Sequence, residues 1–275
     1  MITTKPPQPD WGYYKARTNS WPLRVLIFIG LCRGNLKKIT VLIWKKIYGS
    51  ILDIEVSGIK YRLNLEDNVT DQRILTSANR YDRSEIDHLK SACQNSVFID
   101  VGANIGFYTL HVAKTASLVI AIEPNPKTTE RLRYNVEINE FARNIKVVSC
   151  GVGVKGEFEL HSSGDLGSAS MLPSSDKTES IVISTRPLID IIKENKIAKI
   201  AGLKIDIEGL EDKALRPFFK EAPKTLWPTC FVIEHCHQSE WDTNIISHML
   251  TLGYRIIFQS RSNTVLKISQ PIERM

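Results

Sequence analysis

Val97 to Leu110, "VFIDVGANIGFYTL", decides the fold. Three apolar residues run into Asp100, a turn with Gly102 and Gly106 follows, and the pattern then becomes helical. Strand, glycine turn and helix make a ligand site, because glycine permits close backbone approach and a helix start presents free N–H groups. The dinucleotide fingerprint G-x-G-x-x-G lets a pyrophosphate reach that backbone. In this chain Asn104 stands where the middle glycine belongs. Asp100, at the strand end, would repel a pyrophosphate. The loop therefore predicts a nucleoside ligand with a cationic centre and no phosphate.

Downstream, strands alternate with helices. "LVIAIE" reads as a second strand, "PKTTERLRYNVEINEF" as a helix and "IKVVSC" as a third strand. After an interruption come helix "RPLIDIIKEN", strand "GLKIDI", helix "GLEDKALRPFF", strand "TCFVIEH" and helix "SEWDTNIISHMLTLG". This rhythm predicts a doubly wound, mostly parallel sheet with right-handed crossovers. "YRIIFQS" and "NTVLKIS" close it as an antiparallel hairpin. The interruption, Lys155 to Ser184, has strand-like ends around a Gly/Ser-rich loop and reads as a substrate-side flap.

Upstream, Ser50 to Asp67 alternates apolar and polar residues about Ser57-Gly58, the pattern of a β-hairpin. Asp82 with Glu85 three residues on predicts a capping box opening the next helix. Residues 50–95 are expected to form a hairpin-and-helix subdomain leaning on a ligand-binding domain at 96–275. Residues 1–49 form a basic arm.

Charge supports that division. Of the net +6, residues 1–50 contribute +8, with nine Lys or Arg against Asp10 alone, leaving the remainder near −2. The body thus lacks the basic surface of a nucleic-acid binder, and no Asn/Asp-Pro-Pro-aromatic base-flipping motif is present. The proline-rich start is expected to fray. Val25 to Cys32 is apolar but too short to cross a bilayer as a helix. Residues 21–47 mix Trp, Leu and Ile with Lys and Arg. This suits first a helical cap packed on the main domain, and as the alternative a peripheral contact with an anionic membrane surface. Five scattered cysteines predict a reducing, cytoplasmic setting and no tetrahedral zinc site, even in "CFVIEHCH".

Acids gather at strand ends, where open α/β sheets bind ligands. Glu123 ends the second strand, where a carboxylate can accept both ribose hydroxyls, and Asn125, at the start of the next helix, is a further candidate cofactor residue. S-adenosyl-L-methionine, with its sulfonium and ammonium, fits Asp100 better than NAD does, whereas Glu123 suits the ribose of either. Asp206 and Glu208 end the strand of "LKIDIEGLED", and Glu234 and His235 end the next. Asp206, Glu208 and His235 are candidates to take a proton from a hydroxyl; the acids could also hold a divalent metal. His111 and Cys230 read as packing residues. Asn135 and Asn139 could reach the cofactor side, or serve as polar residues of a helix face.

Together, "FIDVGANIGFYTL", "AIEPNP", "NVEIN" and "LKIDIEGLED" resemble the FkbM family of S-adenosylmethionine-dependent methyltransferases, over roughly Asn68 to His235. The resemblance implies a class I methyltransferase fold, with seven strands and the last antiparallel. It also implies O-methylation of a sugar, glycan or natural-product hydroxyl. By motif, Asp100, Gly102, Asn104, Gly106 and Glu123, with Ala103 beside them, carry over as cofactor residues, and Asp206 and Glu208 as the second acidic motif. Where members of the family show a Thr-Leu-Asp run, "STRPLIDIIKENK" departs, and Asp190 alone keeps the acid's place. The competing readings are an NAD-dependent oxidoreductase and a non-catalytic nucleotide-binding module. Neither the acceptor nor the oligomeric state is legible.

Overall fold

A computed structural model describes residues 13–15, 35–77, 80–162, 167, 169–171 and 179–268. The proline-rich start, the upstream half of the arm and most of the flap loop lie outside these residues, together with the expectations placed on them. Helix α1 (Asn35–Tyr48) leads into a hairpin of β1 (Ile51–Val56) and β2 (Ile59–Asn64). Ser57 and Gly58 both take positive φ, 53° and 67°, as a two-residue turn matched to strand twist requires. Asp53 lies opposite Arg62 in the hairpin register, and their buried ion pair closes at 2.7 Å.

Next come α2 (Val69–Ser77) and α3 (Arg83–Ala92). No capping box opens α3. Asp82 has φ 46°, whereas a cap is extended, and its carboxylate accepts the Tyr108 hydroxyl at 2.9 Å. Glu85 is buried instead, 3.5 Å from the Asn263 amide.

The alternating part begins with β3 (Val97–Val101), α4 (Phe107–Ala113), β4 (Leu118–Ile122), α5 (Pro126–Glu137) and β5 (Ile145–Val148). Strands β6 (Gly151–Val152), β7 (Gly156–Ser162) and β8 (Glu179–Arg186) form a separate small sheet, which supplies the strand-like ends of the flap. Then follow α6 (Leu188–Glu194), β9 (Gly202–Ile205), α7 (Glu211–Glu221), β10 (Cys230–Glu234), α8 (Ile245–Thr251), β11 (Arg255–Gln259) and β12 (Asn263–Lys267). Helix α8 is shorter than its sequence pattern suggests, because Asn244 caps it, accepting the Ser247 amide at 2.9 Å.

The main sheet has seven strands in the order β11-β12-β10-β9-β3-β4-β5. Strand β12 runs antiparallel to β10, whereas β10, β9, β3, β4 and β5 are mutually parallel. This is the class I methyltransferase sheet. Both faces are covered, so the central strands are apolar on both sides. Phe98, Val119 and Val232 pack under the hairpin and α4, while Ile99, Leu203 and Phe231 pack against the α6 and α7 side. Each such side chain contributes about 1.5–3 kcal/mol when buried. Because every crossover covers a face, only the strand ends are free to build a site.

Candidate active site

The carboxyl ends of β3, β4, β9 and β10 open on one cavity of about 330 Å³, near the lower end of the roughly 300–1,000 Å³ usual for small-molecule sites. Its floor is the opening loop. Gly102 has φ +74°, and a Cβ there would stand 1.9 Å from the Asp206 carbonyl oxygen. The β3 loop thus touches the β9 end backbone to backbone. Asn104 also has positive φ, 50°, a conformation asparagine tolerates better than most residues. Its side chain accepts from Asn68 at 2.7 Å, which ties the loop to the start of α2. Gly106 (φ +95°) begins α4, and a Cβ there would meet Leu132 at 2.7 Å. It serves packing and does not line the cavity.

Glu123 lines the cavity, almost wholly buried. Its two oxygens accept the amides of Asn104 at 2.9 Å and Asn125 at 3.0 Å. Burial pushes its carboxyl up to about 7, those two amides opposing the shift. Each oxygen keeps a lone pair for a hydroxyl donor. Asn125 does not line the cavity; its side chain caps α5.

Asp100 is not at the loop mouth. Strand alternation turns its fully buried carboxylate beneath the cavity floor, where Thr109 donates to it at 2.5 Å. Its register partner on β9 is Lys204, whose ammonium lies 3.9 Å away. Burial raises the Asp100 pKa, while Lys204 and Thr109 oppose the shift. Lys204 does line the cavity, 3.3 Å from Asp206 and donating to the Gly102 carbonyl at 2.8 Å. Burial alone would lower its pKa, but Asp206 and Asp100 raise it. Sequence reasoning passed over this lysine. The signal was a cation inside a four-residue buried strand, which demands a buried acid beside it.

The acids that end β9 and β10 meet at this cavity. Asp206, Glu208 and Glu234 line the cavity, but His235 does not; its Nδ1 pairs with the Thr264 hydroxyl at 3.0 Å. His237 takes the place instead, its Nε2 2.9 Å from Glu208. Burial, then Asp206 and Glu234, push the Glu208 carboxyl up to about 8. The Glu234 pKa is raised by burial and by Asp206, and its buried Oε2 has no hydrogen-bond partner among the described residues. Arg73, Tyr81, Asp82 and Tyr108, also unforeseen, line the same cavity beside Leu160, Ala169 and Met171 of the flap, with burial bringing Asp82 to about 6.

Other candidates fall elsewhere. Asn135 and Asn139 reach β2, accepting the amides of Arg62 and Lys60 at 2.8 and 2.9 Å. His111 packs on Phe107, Cys230 is buried in β10, and Asp190 is exposed on α6. No group of three or more His, Cys, Asp or Glu among the described residues is arranged to hold a metal.

The family model described as the methyltransferase FkbM domain matches residues 100–256. Among solved structures, methyltransferase FkbM from Methylobacillus flagellatus KT is 20% identical, covering 74% of this chain and 55% of that one, with a TM-score of 0.41. Trm5b from Pyrococcus abyssi is 14% identical, covering 80% and 56%, at 0.43. M. jannaschii TYW2, solved in complex with AdoMet, is 14% identical, covering 80% and 87%, at 0.42. The chain thus spans little more than half the length of the first two. No curated protein matches the sequence.

Proposed function

The chain belongs to the FkbM methyltransferase family, and from that premise we propose that it methylates a hydroxyl oxygen of a sugar, glycan or natural-product acceptor, using S-adenosyl-L-methionine. One observation carries this: a single cavity joins the glycine loop and the Glu123 carboxylate to the acids of β9 and β10. Those residues fit the cofactor. Glu123 offers lone pairs to a ribose diol, and Gly102 and Ala103 form a floor free of large side chains. The unpaired Glu234 oxygen and the carboxylates of Asp206 and Glu208 favour a cation. When bound there, the sulfonium cofactor supplies an electrophilic methyl group.

The chain's own contribution is the acceptor side. Forming the new C–O bond requires that the hydroxyl proton leave. Glu208 takes it, since a carboxylate with a raised pKa is a stronger base than an ordinary one. His237, in contact with Glu208, passes it to solvent. Lys204 and Asp206 hold the β9 end in register with the opening loop, which fixes where the acceptor sits.

Calorimetry with S-adenosyl-L-methionine, its demethylated product and NAD tests the cofactor. Binding of the first two and not the third is expected; the reverse would return the chain to the oxidoreductases. Methyl transfer to sugars, lipid-linked glycans and tRNA, each with and without a chelator, tests the acceptor class and any metal held by Asp206 and Glu208.

A further inference from the structure

Helix α1 is apolar on two sides, and only one packs against the rest of the described residues. Val41 and Trp44 are buried in the core shared with the hairpin, and Trp44 packs on Tyr48 at 4.7 Å. That face holds the helix to the body. Around the rest of the helix, Leu36, Ile39, Leu42, Ile43 and Ile47 are 46–67% exposed, and Ile51, at the start of β1, is 56% exposed. Lys38 and Lys46 stand exposed among them, while Lys45 is paired with Glu66 at 2.6 Å. Exposed aliphatic side chains at this density on one short helix mark an interaction surface.

We propose that this face of α1 docks on the surface of an anionic lipid bilayer. Charge selects the occupant. A second copy of the chain would set Lys38 and Lys46 against the same lysines. Residues 16–34, immediately upstream, carry Arg17, Arg24 and Arg33 and no acid, so they cannot neutralise the face either. Anionic headgroups above acyl chains satisfy lysines and aliphatic side chains together. At 14 residues α1 is too short to span, and no helix among the described residues is long and apolar enough to cross a membrane. It therefore lies in the interface plane. Helix α1 packs on α2, which brings Thr70 and Arg73 to the cavity, so the docked face and the cavity wall are neighbours.

The test is co-sedimentation of the full chain with vesicles of phosphatidylcholine alone or mixed with phosphatidylglycerol. The expected result is binding to the mixed vesicles, weaker by roughly tenfold or more on neutral ones. Ile43→Asp with Ile47→Asp should abolish it, and Lys38→Glu with Lys46→Glu should weaken it about tenfold or more. All four sites are exposed, so unchanged melting temperature and cofactor binding will show that the variants fold. The proposal is overturned by no wild-type binding, by equal binding to both vesicles, or by variants that bind like wild type. It is equally overturned if wild type ignores lipid but is a dimer that Ile43→Asp makes monomeric, since the occupant is then a second copy.

Discussion

At the scale of single residues, the site depends on close contacts between the ends of β3 and β9. Gly102 is required twice, by its positive φ and by the Asp206 carbonyl where its Cβ would be. We expect Gly102→Ala to destabilise by at least about 1–3 kcal/mol through strain alone and to remove cofactor binding by separating the β3 and β9 ends. Denaturant titration and calorimetry measure the two effects, and near-wild-type values in both would show that the ends can part freely. Lys204 and Asp100 make a second such contact. Lys204→Met leaves Asp100 buried without a cation, at an expected cost of about 3–5 kcal/mol. An unpaired carboxyl is tolerated only when protonated, so the loss should grow as pH rises. Adding Asp100→Asn should recover most of it; a pH-independent loss with no recovery would separate the two residues.

At the scale of elements, the turn from β9 into α7 does the presenting. Glu208 and Gly209 take successive positive φ values, 58° and 95°, which swing the Glu208 carboxylate into the cavity. Glu211 secures the turn by accepting the Ile207 amide at 2.8 Å. If Glu208 receives the proton, the rate should rise with pH up to about 8, and Glu208→Gln should lower kcat by about 10²–10⁴-fold and abolish that rise. A variant keeping the wild-type pH profile would exclude the role. Stability gives an independent check. A carboxyl raised from 4.5 to about 8 keeps its proton better when folded, so folding is favoured below 4.5 and loses that advantage as pH rises through 8. Relative to wild type, Glu208→Gln should therefore be more stable at pH 9 than at pH 4.5. The elements themselves were readable because buried parallel strands are continuous apolar runs and the glycine turns punctuate them. The exchange of His235 for His237 was not readable. Strand β10 ends at Glu234, and the direction of the next three side chains depends on Thr264 of β12, a partner that local pattern does not reveal. For Lys204 the sequence signals a buried acid beside it but not which one, since Asp100 lies on the neighbouring strand β3, far away in sequence.

At the scale of the whole molecule, the family match begins at residue 100, but the core does not. Leu52, Ile59, Tyr61 and Leu63 of the hairpin share one hydrophobic cluster with Phe98, Leu110, Val232 and Val265. Polar ties cross the same boundary. Asn135 accepts the Arg62 amide at 2.8 Å and donates to the Ile105 carbonyl at 3.0 Å, so one buried side chain joins β2, α5 and the opening loop. Arg131 of α5 pairs with Asp67 and with Asp71 of α2. A subdomain at 50–95 merely leaning on the rest would have an apolar surface of its own and a polar seam; here the seam is core. The chain should therefore unfold in one transition, with tryptophan fluorescence and far-ultraviolet circular dichroism giving coincident curves. Asn135→Ala leaves a strand amide and a loop carbonyl unsatisfied, which costs about 1–3 kcal/mol for each buried group. If hairpin and sheet are one cooperative unit, that loss lowers the midpoint of both probes equally. Two transitions, only one of them moved by Asn135→Ala, would instead make residues 50–95 an independent folding unit and confine the opening loop's support to α5.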